Sequence, residues 1–558
     1  MDDLFTQATP GSVVAGTVCL DELVAMGVTD VVCCPGSRSA PLAYAAARLE
    51  AHGRVRLHMR LDERAAGFLA LGMAKATGRA VAVITTSGTA VANLAPAMAE
   101  ARYAQAPLIA LTADRPATLV GTGANQTADQ VGIFGGIPLD QVRISSTDAP
   151  PDAWRAGIRR AVVTCEGRLT RRPGPVHVNV ELTPPLLGEP GRISAGVPFR
   201  VDPVPPPRAR LLDPGPRTVV VAGDLPPEQG RAWAEEAERA RIPLLAEPSS
   251  NARRGGAAVS TYRHLLPSMA SMIERVVVVG RPTLSRSVTS LLSRKDAEII
   301  AVAAGGQWPD PGWSVSTVVE SIGLGLGDPS WMALWASADR GLRARMDRAQ
   351  TWSGELVAST VLGALTDADH LFLGASNTVR DADLAPIAAR PPMVYANRGL
   401  AGIDGTIATA CGVALGSGAP TTALIGDLTA LHDIGSLARP ALETGADLTV
   451  VVADDNGGSL FSTLEYGAPR GQIGELADWF ERLFAVPMAV DLEQVVRGFG
   501  VPVTTVTDAD GLATALARPG AGMRVVRAVL DRSSRAADEK RLAAWGREAA
   551  REAMTEGR

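Results

Sequence analysis

Short apolar runs recur along this chain, among them "DVVCC", "VAVIT", "LIALTA", "TVVVA", "RVVVV", "TALIG" and "LTVVVA", and each closes on a glycine, a proline or a polar residue. Longer stretches with helical spacing of apolar residues lie between them. A strand that is apolar at successive positions has to be covered on both faces, which is the condition of a parallel sheet flanked by crossover helices. The expected fold class is therefore α/β, built from doubly wound parallel sheets. At 558 residues the chain is too long for one core, and three such domains are the simplest division. The expected boundaries are 1–187 for the first domain, a stiff proline-rich linker over 188–216 ("VDPVPPPRARLLDPGP"), 217–345 for the central domain and 350–558 for the third. No repeat shows at the level of letters.

Composition removes several classes of function. A formal net charge of −5 argues against a nucleic-acid binder, which is usually basic. No apolar run approaches the roughly 20 residues that cross a bilayer, so no membrane insertion is expected. The five cysteines show no CxxC spacing, so neither a disulfide framework nor a zinc site follows. The start, "MDDLFTQATPGS", is acidic and polar, unlike a signal or transit peptide, and a cytoplasmic protein is expected. Lysine stands only at 75, 295 and 540, so arginine carries nearly all of the positive charge. Arginine is also the residue that grips a planar carboxylate at two points.

In doubly wound folds ligands bind outside the carboxyl ends of the strands. Six such ends here carry glycine or polar residues: "CCPGSRS", "TTSGTA", "TADRP", "GASNTVRD", "GDLT" and "ADDNGG". No GxxxxGK[ST] is present, and no GxGxxG follows a strand with an acidic residue at the right distance. The histidines are scattered and support neither a metal cluster nor a triad. What remains is Asp427, directly after an apolar run, and Asp455-Asn456-Gly457-Gly458 after the next one. Two strand ends then offer oxygens, and the glycines let a main-chain carbonyl approach a hard divalent cation. Capping or solvent-facing aspartates are the competing reading. Glu63 ends a strand-like run and opens the apolar helix "ERAAGFLALGMAKATG", where a carboxylate is costly unless it finds a partner. A salt-bridged surface turn of Asp62 and Arg64 competes with a functional role for Glu63.

Gly426-Asp427-Leu428 with Asp455-Asn456 resembles the Gly-Asp-Gly…Asn-Asn signature of thiamine-diphosphate enzymes, departing from it at Leu428 and Asp455. In order along the chain, "CPGSRSAPL", "TSGTAVANL", "LTADRP", "GTGANQT", "GASNTVRD", "NRGLAGIDGT", "IGDLT" and "DNGGSLF" resemble one branch of that family. This is the branch of the 2-succinyl-5-enolpyruvyl-6-hydroxy-3-cyclohexene-1-carboxylate (SEPHCHC) synthases of menaquinone biosynthesis. The likeness is dense in the first and third domains and thin in the central one. It implies a transferase with pyrimidine-binding, central and diphosphate-binding domains, the central one without FAD. The implied reaction is decarboxylation of 2-oxoglutarate and conjugate addition of the succinyl carbanion to isochorismate.

The resemblance implies thiamine diphosphate as cofactor, with Mg2+ or Mn2+ on Asp427, Asp455 and the Gly457 carbonyl. It makes Glu63 the catalytic residue that shares a proton with the aminopyrimidine ring. Cofactor contacts fall on Ile403, Gly426, Leu428, Thr429, Asn456, Gly457 and Leu460. Substrate contacts fall on Ser37, Arg38, Arg115, Asn125, Gln126, Arg286, Ser376, Arg380, Arg398 and Phe461. A homodimer or homotetramer with active sites at the dimer interface is implied as well. Another 2-oxoacid carboligase, such as an acetohydroxyacid synthase, and a non-catalytic member of the fold are the alternatives.

Overall fold

The structure is a computed structural model that describes residues 9–147, 149–191, 193, 196–213, 215–467, 479–517 and 522–556. They divide into two compact units. The first comprises Met1–Pro205, Gly399–Gly418 and Asp433–Ala446, and the second Pro206–Arg398, Ala419–His432 and Asp447–Arg558.

The first unit is built on a six-stranded parallel sheet of β1 (Asp30–Cys33), β2 (Arg56–Met59), β3 (Val81–Thr85), β4 (Leu108–Asp114), β5 (Gln141–Ser145) and β6 (Val176–Glu181), in the order β2-β1-β3-β4-β6-β5. β3, β4 and β6 are buried at every position, which is why their sequences run apolar without alternation. The stretch "TAVANLAPAMAEARYA", which reads as one helix, forms two, Thr89–Ala92 and Ala95–Ala104. Pro96 sits in the first turn of the second, where its missing N–H is harmless, whereas continuation through it would leave a carbonyl without its donor.

The helix Glu63–Thr77 crosses from β2 to β3 and packs along the helix Thr406–Ser417. Glycines on both sides allow the approach. A Cβ on Gly72 would lie 2.0 Å from the Thr409 carbonyl oxygen, and a Cβ on Gly412 would lie 2.0 Å from the Leu69 carbonyl oxygen. Each helix thus lays a main-chain carbonyl on the other's glycine.

The second unit holds two larger sheets. A central five-stranded parallel sheet is made of β8 (Thr218–Ala222), β9 (Leu244–Ala246), β10 (Arg275–Val279), β11 (Glu298–Val302) and β12 (Val315–Val319), in the order β12-β11-β10-β8-β9. The proline-rich stretch ends in a short strand, β7 (Arg210–Leu211), paired in parallel with β13 (Ile322–Gly323). The third sheet is again six-stranded and parallel: β14 (His370–Leu373), β15 (Met393–Ala396), β16 (Thr421–Gly426), β17 (Leu448–Asp454), β18 (Val503–Val506) and β19 (Met523–Val529), ordered β15-β14-β16-β17-β19-β18. Counted from its own first strand, that order repeats the order of the first sheet. The helix Thr406–Ser417 connects its second and third strands, as Glu63–Thr77 does in the first sheet. The chain therefore repeats a topology that its letters do not show. Among the described residues no helix is long and apolar enough to cross a membrane.

The glycine crossing is testable. Gly412→Val drives a branched side chain into the Leu69 carbonyl and is expected to cost at least about 1–3 kcal/mol, seen as a lower denaturant midpoint. An unchanged midpoint would disprove the close packing of the two helices.

Candidate active site

In the second unit the site begins where β16 stops. Asp427 follows Gly426 and opens the short helix Asp427–His432, its side chain only 6% exposed. β17 runs parallel to β16 with Gly426 opposite Ala453, so Asp454 and Asp455 emerge beside Asp427. The loop after β17 turns back to the first carboxylate, and the Gly457 N–H donates to Asp427 Oδ2 at 2.7 Å. Asn456 (φ 54°) and Gly457 (φ 137°) make that turn, and a Cβ on Gly457 would lie 2.5 Å from the Ala485 carbonyl oxygen. Gly457 is required for its backbone angle and for the space. Asp455 Oδ2 accepts from the Ser459 hydroxyl, which itself accepts from Asn377 Nδ2 at 2.5 Å.

Burial pushes Asp427 up to about 7, and the neighbouring Asp455 adds to the shift. Burial likewise pushes Asp455 up to about 6, against the opposing pull of the Ser459 hydroxyl. Arg535 and Arg532 offset only part of the shift at Asp455, and a hard divalent cation is a group that would relieve both carboxylates. Among the described residues no three His, Cys, Asp or Glu side chains gather as a metal cluster. A cation here takes the rest of its shell from main-chain, ligand and water oxygens, which is how diphosphate-bound magnesium is usually held. The residues present fit that group. Leu428 is half-buried and Thr429 buried behind Asp427. Leu460 and Phe461 lie in the 3-10 turn Ser459–Thr463, with the Phe461 ring 5.8 Å from that of Phe484.

The same unit crowds arginines at neighbouring strand ends. Ser376, the residue before the helix Asn377–Ala382, is held at φ 77° and ψ −130°, a conformation that costs a non-glycine residue on the order of 1–3 kcal/mol. Its carbonyl accepts from Arg380 Nη1 at 2.6 Å. Burial lowers Arg380 to about 10, and the cations Arg398, Arg263 and Arg535 lower it further. Arg398, just beyond β15, is 4% exposed and donates from Nε and Nη2 to Thr283 Oγ1 at 3.1 and 2.7 Å. Arg286 opens a helix of its own, Arg286–Leu291, and is exposed.

In the first unit Glu63 is the first residue of the helix Glu63–Thr77 and is half-buried. Asp62 caps that helix, accepting from the Arg64 and Ala65 N–H groups, and Arg64 lies 3.7 Å from Asp433. The cap occupies Asp62, and Glu63 follows it as the first residue of the helix. Ser37, exposed, and Arg38, half-buried, lie in the turn after β1, and Arg38 Nη1 donates to the Leu182 carbonyl at 2.7 Å. Burial lowers Arg38, and the nearby Arg115 lowers it again, so these two cations stand close together. Arg115 Nη1 donates to the Ser87 hydroxyl and, at 2.9 Å, to the Gln126 carbonyl. Gln126, at φ 56°, returns a bond from Nε2 to the Ser87 carbonyl at 2.9 Å. Ser87 belongs to the quoted "TTSGTA" but was not singled out by sequence, because only the fold lays that turn against Arg115. Asn125 is exposed in the same loop, and Ile403 is half-buried with its carbonyl accepting from Thr406 Oγ1 at 2.8 Å.

Two family models match the chain. "Thiamine pyrophosphate enzyme, N-terminal TPP binding domain" covers residues 14–133, and "Thiamine pyrophosphate enzyme, C-terminal TPP binding domain" covers residues 377–526. Fold and site thus define a thiamine-diphosphate enzyme. Among curated relatives, a 2-succinyl-5-enolpyruvyl-6-hydroxy-3-cyclohexene-1-carboxylate synthase of Kineococcus radiotolerans is 46% identical, over 93% of this chain and 96% of its own length. Synthases of the same name from a Nocardioides species and from Rhodococcus erythropolis are 44% and 40% identical, each over 94% of this chain, and over 96% and 97% of their own lengths. The chain belongs to this synthase family.

Gly457→Ala tests the cradle. The added Cβ displaces the loop and loses the hydrogen bond to a charged carboxylate, so affinity for thiamine diphosphate with magnesium should fall by about ten- to a hundredfold. Titration of the cofactor at fixed magnesium reads the effect, and wild-type affinity would show that the loop and Asp427 do not act together.

Proposed function

We propose that this chain decarboxylates 2-oxoglutarate and joins the succinyl carbanion to isochorismate by conjugate addition, releasing carbon dioxide and forming SEPHCHC in menaquinone biosynthesis. The observation that carries the reading is the buried Asp427 beside the half-buried Asp455, with Gly457 bonded to Asp427, in the same unit as the half-buried Arg380 and the buried Arg398. A cation site in the same unit as guanidiniums suits a diphosphate cofactor and dianionic substrates, and the relatives are named as synthases of a product of that chemistry.

Thiamine diphosphate, when bound, supplies a nucleophilic carbon and an electron sink. The chain's own groups do the rest in this reading. Asp427, Asp455 and the Gly457 carbonyl hold Mg2+ or Mn2+. Gly426, Leu428, Thr429, Asn456 and Leu460 would line the diphosphate end, and Ile403 would pack against the cofactor. Glu63 holds the proton exchanged with the aminopyrimidine ring. Arg38, Arg115, Arg286, Arg380 and Arg398 orient substrate carboxylates by charge-assisted hydrogen bonds, helped by Ser37, Asn125, Gln126, Ser376 and the apolar face of Phe461. We assign pyrimidine binding to residues 1–187 and diphosphate binding to 350–558, with a linker over 188–216 and a central domain over 217–345 that takes no FAD. The protein works in the cytoplasm as a homodimer or homotetramer, a reading supported by the family resemblance.

Mass spectrometry of the product from isochorismate, 2-oxoglutarate, thiamine diphosphate and magnesium is the direct test, and SEPHCHC is the expected mass. In the same assay Glu63→Gln should keep cofactor binding and lose at least about a hundredfold in turnover, the usual weight of a proton-transfer group. A variant that folds, binds and turns over normally would remove Glu63 from its role.

Assembly has its own test. If each site takes Glu63 from one subunit and Asp427 from another, mixing inactive Glu63→Gln with inactive Asp427→Ala yields hybrid dimers with one intact site. Random exchange makes roughly half of the dimers hybrid, so about a quarter of wild-type activity should return under two-fold symmetry. No recovery after confirmed exchange would mean that each chain completes its own site.

A further inference from the structure

The central sheet ends in a buried carboxylate with no part in the chemistry above. Glu247 follows β9 directly and is 1% exposed. Its Oε1 accepts the Thr283 N–H at 2.8 Å and the Leu284 N–H at 2.7 Å, and its Oε2 lies 3.1 Å from the same Thr283 nitrogen. A carboxylate withdrawn from water is costly, and main-chain donors with a nearby guanidinium are what offset the cost. Burial raises Glu247 to about 8, opposed by the Leu284 N–H and by the charge of Arg398.

Thr283 is therefore held from behind by its main chain. From the front, its hydroxyl oxygen accepts both Nε and Nη2 of Arg398, at 3.1 and 2.7 Å, and its carbonyl oxygen lies 3.4 Å from Nη2. Two bonds from one edge of a planar guanidinium to a single oxygen fix the plane of the group as well as its place. Nη1 takes no part in these bonds. Arg380, whose ionisation Arg398 disfavours, stands nearby. The "GRPTLSR" segment thus has a defined use: it carries Thr283 between a carboxylate of the central sheet and an arginine at the edge of the third.

We propose that Glu247 and Thr283 are positioning residues for substrate binding: Glu247 fixes the Thr283–Leu284 turn, and Thr283 turns the Arg398 guanidinium so that its remaining N–H edge meets a substrate carboxylate. The proposal rests on the reading of Arg398 as a substrate contact. It gives the central sheet a role in specificity without any ligand of its own.

The test uses the full-length enzyme loaded with thiamine diphosphate and magnesium. Thr283→Val keeps the size of the side chain and removes the acceptor, whereas Thr283→Ser keeps the acceptor. Thr283→Val should raise KM for 2-oxoglutarate or for isochorismate about tenfold, the usual loss for a hydrogen bond to a charged group. Its kcat, its cofactor affinity and its melting midpoint should stay close to wild type. Thr283→Ser should return KM to the wild-type value, and Glu247→Gln should shift the same KM in the same direction as Thr283→Val. Arg398→Gln is the control. If Arg398→Gln raises KM and Thr283→Val does not, or lowers only the melting midpoint, the positioning role is overturned. If Arg398→Gln itself leaves both KM values unchanged, the substrate role of Arg398 falls, and the inference falls with it.

Discussion

A carboxylate placed at the end of a strand buried over its first five residues is the constraint on which the site of the second unit depends. Asp427 cannot move into solvent without breaking the register of β16 against β17, which puts Gly426 opposite Ala453. That register sets Asp455 next to it, and the Asp455 charge makes that of Asp427 harder to bear. One Gly457 N–H relieves part of the strain, and only a glycine reaches that position, with φ at 137° and the Ala485 carbonyl close behind. Strand register, loop angle and raised carboxylate pKa values are thus one arrangement seen at three scales. In the proposed reading a divalent cation completes it.

The repeated topology explains how Glu63 comes to open a rigid helix. In both six-stranded sheets the helix between the second and third strands is rich in small residues, and in the first unit the two such helices pack through reciprocal glycine–carbonyl contacts. Close packing over this length fixes the roll of Glu63–Thr77 about its axis. The Asp62 cap fixes its first turn. A side chain at the first helical position then has its direction set by packing that lies several turns away.

Much of this was legible in the residues. Parallel strands announce themselves because both faces are buried, and the polar ends of those strands mark where ligands meet the sheet. Asp427 and Asp455 stand out in that way, whereas the role proposed for Glu63 came from the family resemblance. The order of the strands was not legible, since an apolar run says that a strand is buried and nothing about its neighbours. The identity of the two six-stranded topologies stayed hidden for that reason. The helix break before Pro96 was readable in principle from the proline and was overridden by the long apolar period around it. Ser87, Glu247 and Thr283 were invisible for a different reason. Each is an ordinary polar residue in sequence and acquires its role from a partner 28, 36 or 115 positions away.

The charges of the second unit can finally be read together. Arg380 is buried among other cations, and its hold on a proton is weakened by Arg398, Arg263 and Arg535. Burial strengthens the hold of Asp427 and the half-buried Asp455 on a proton, and Arg535 and Arg532 oppose this only in part at Asp455. Direct pairing of the two sets would neutralise both within the protein and leave nothing for a ligand to do. The fold keeps them at separate strand ends, Arg380 after β14 and the aspartates after β16 and β17. Each set therefore keeps an unmet demand of opposite sign. In the proposed reading a metal-bound diphosphate answers the carboxylates and a carboxylate substrate answers the guanidiniums, and each draws on the cost of burying the charge it meets.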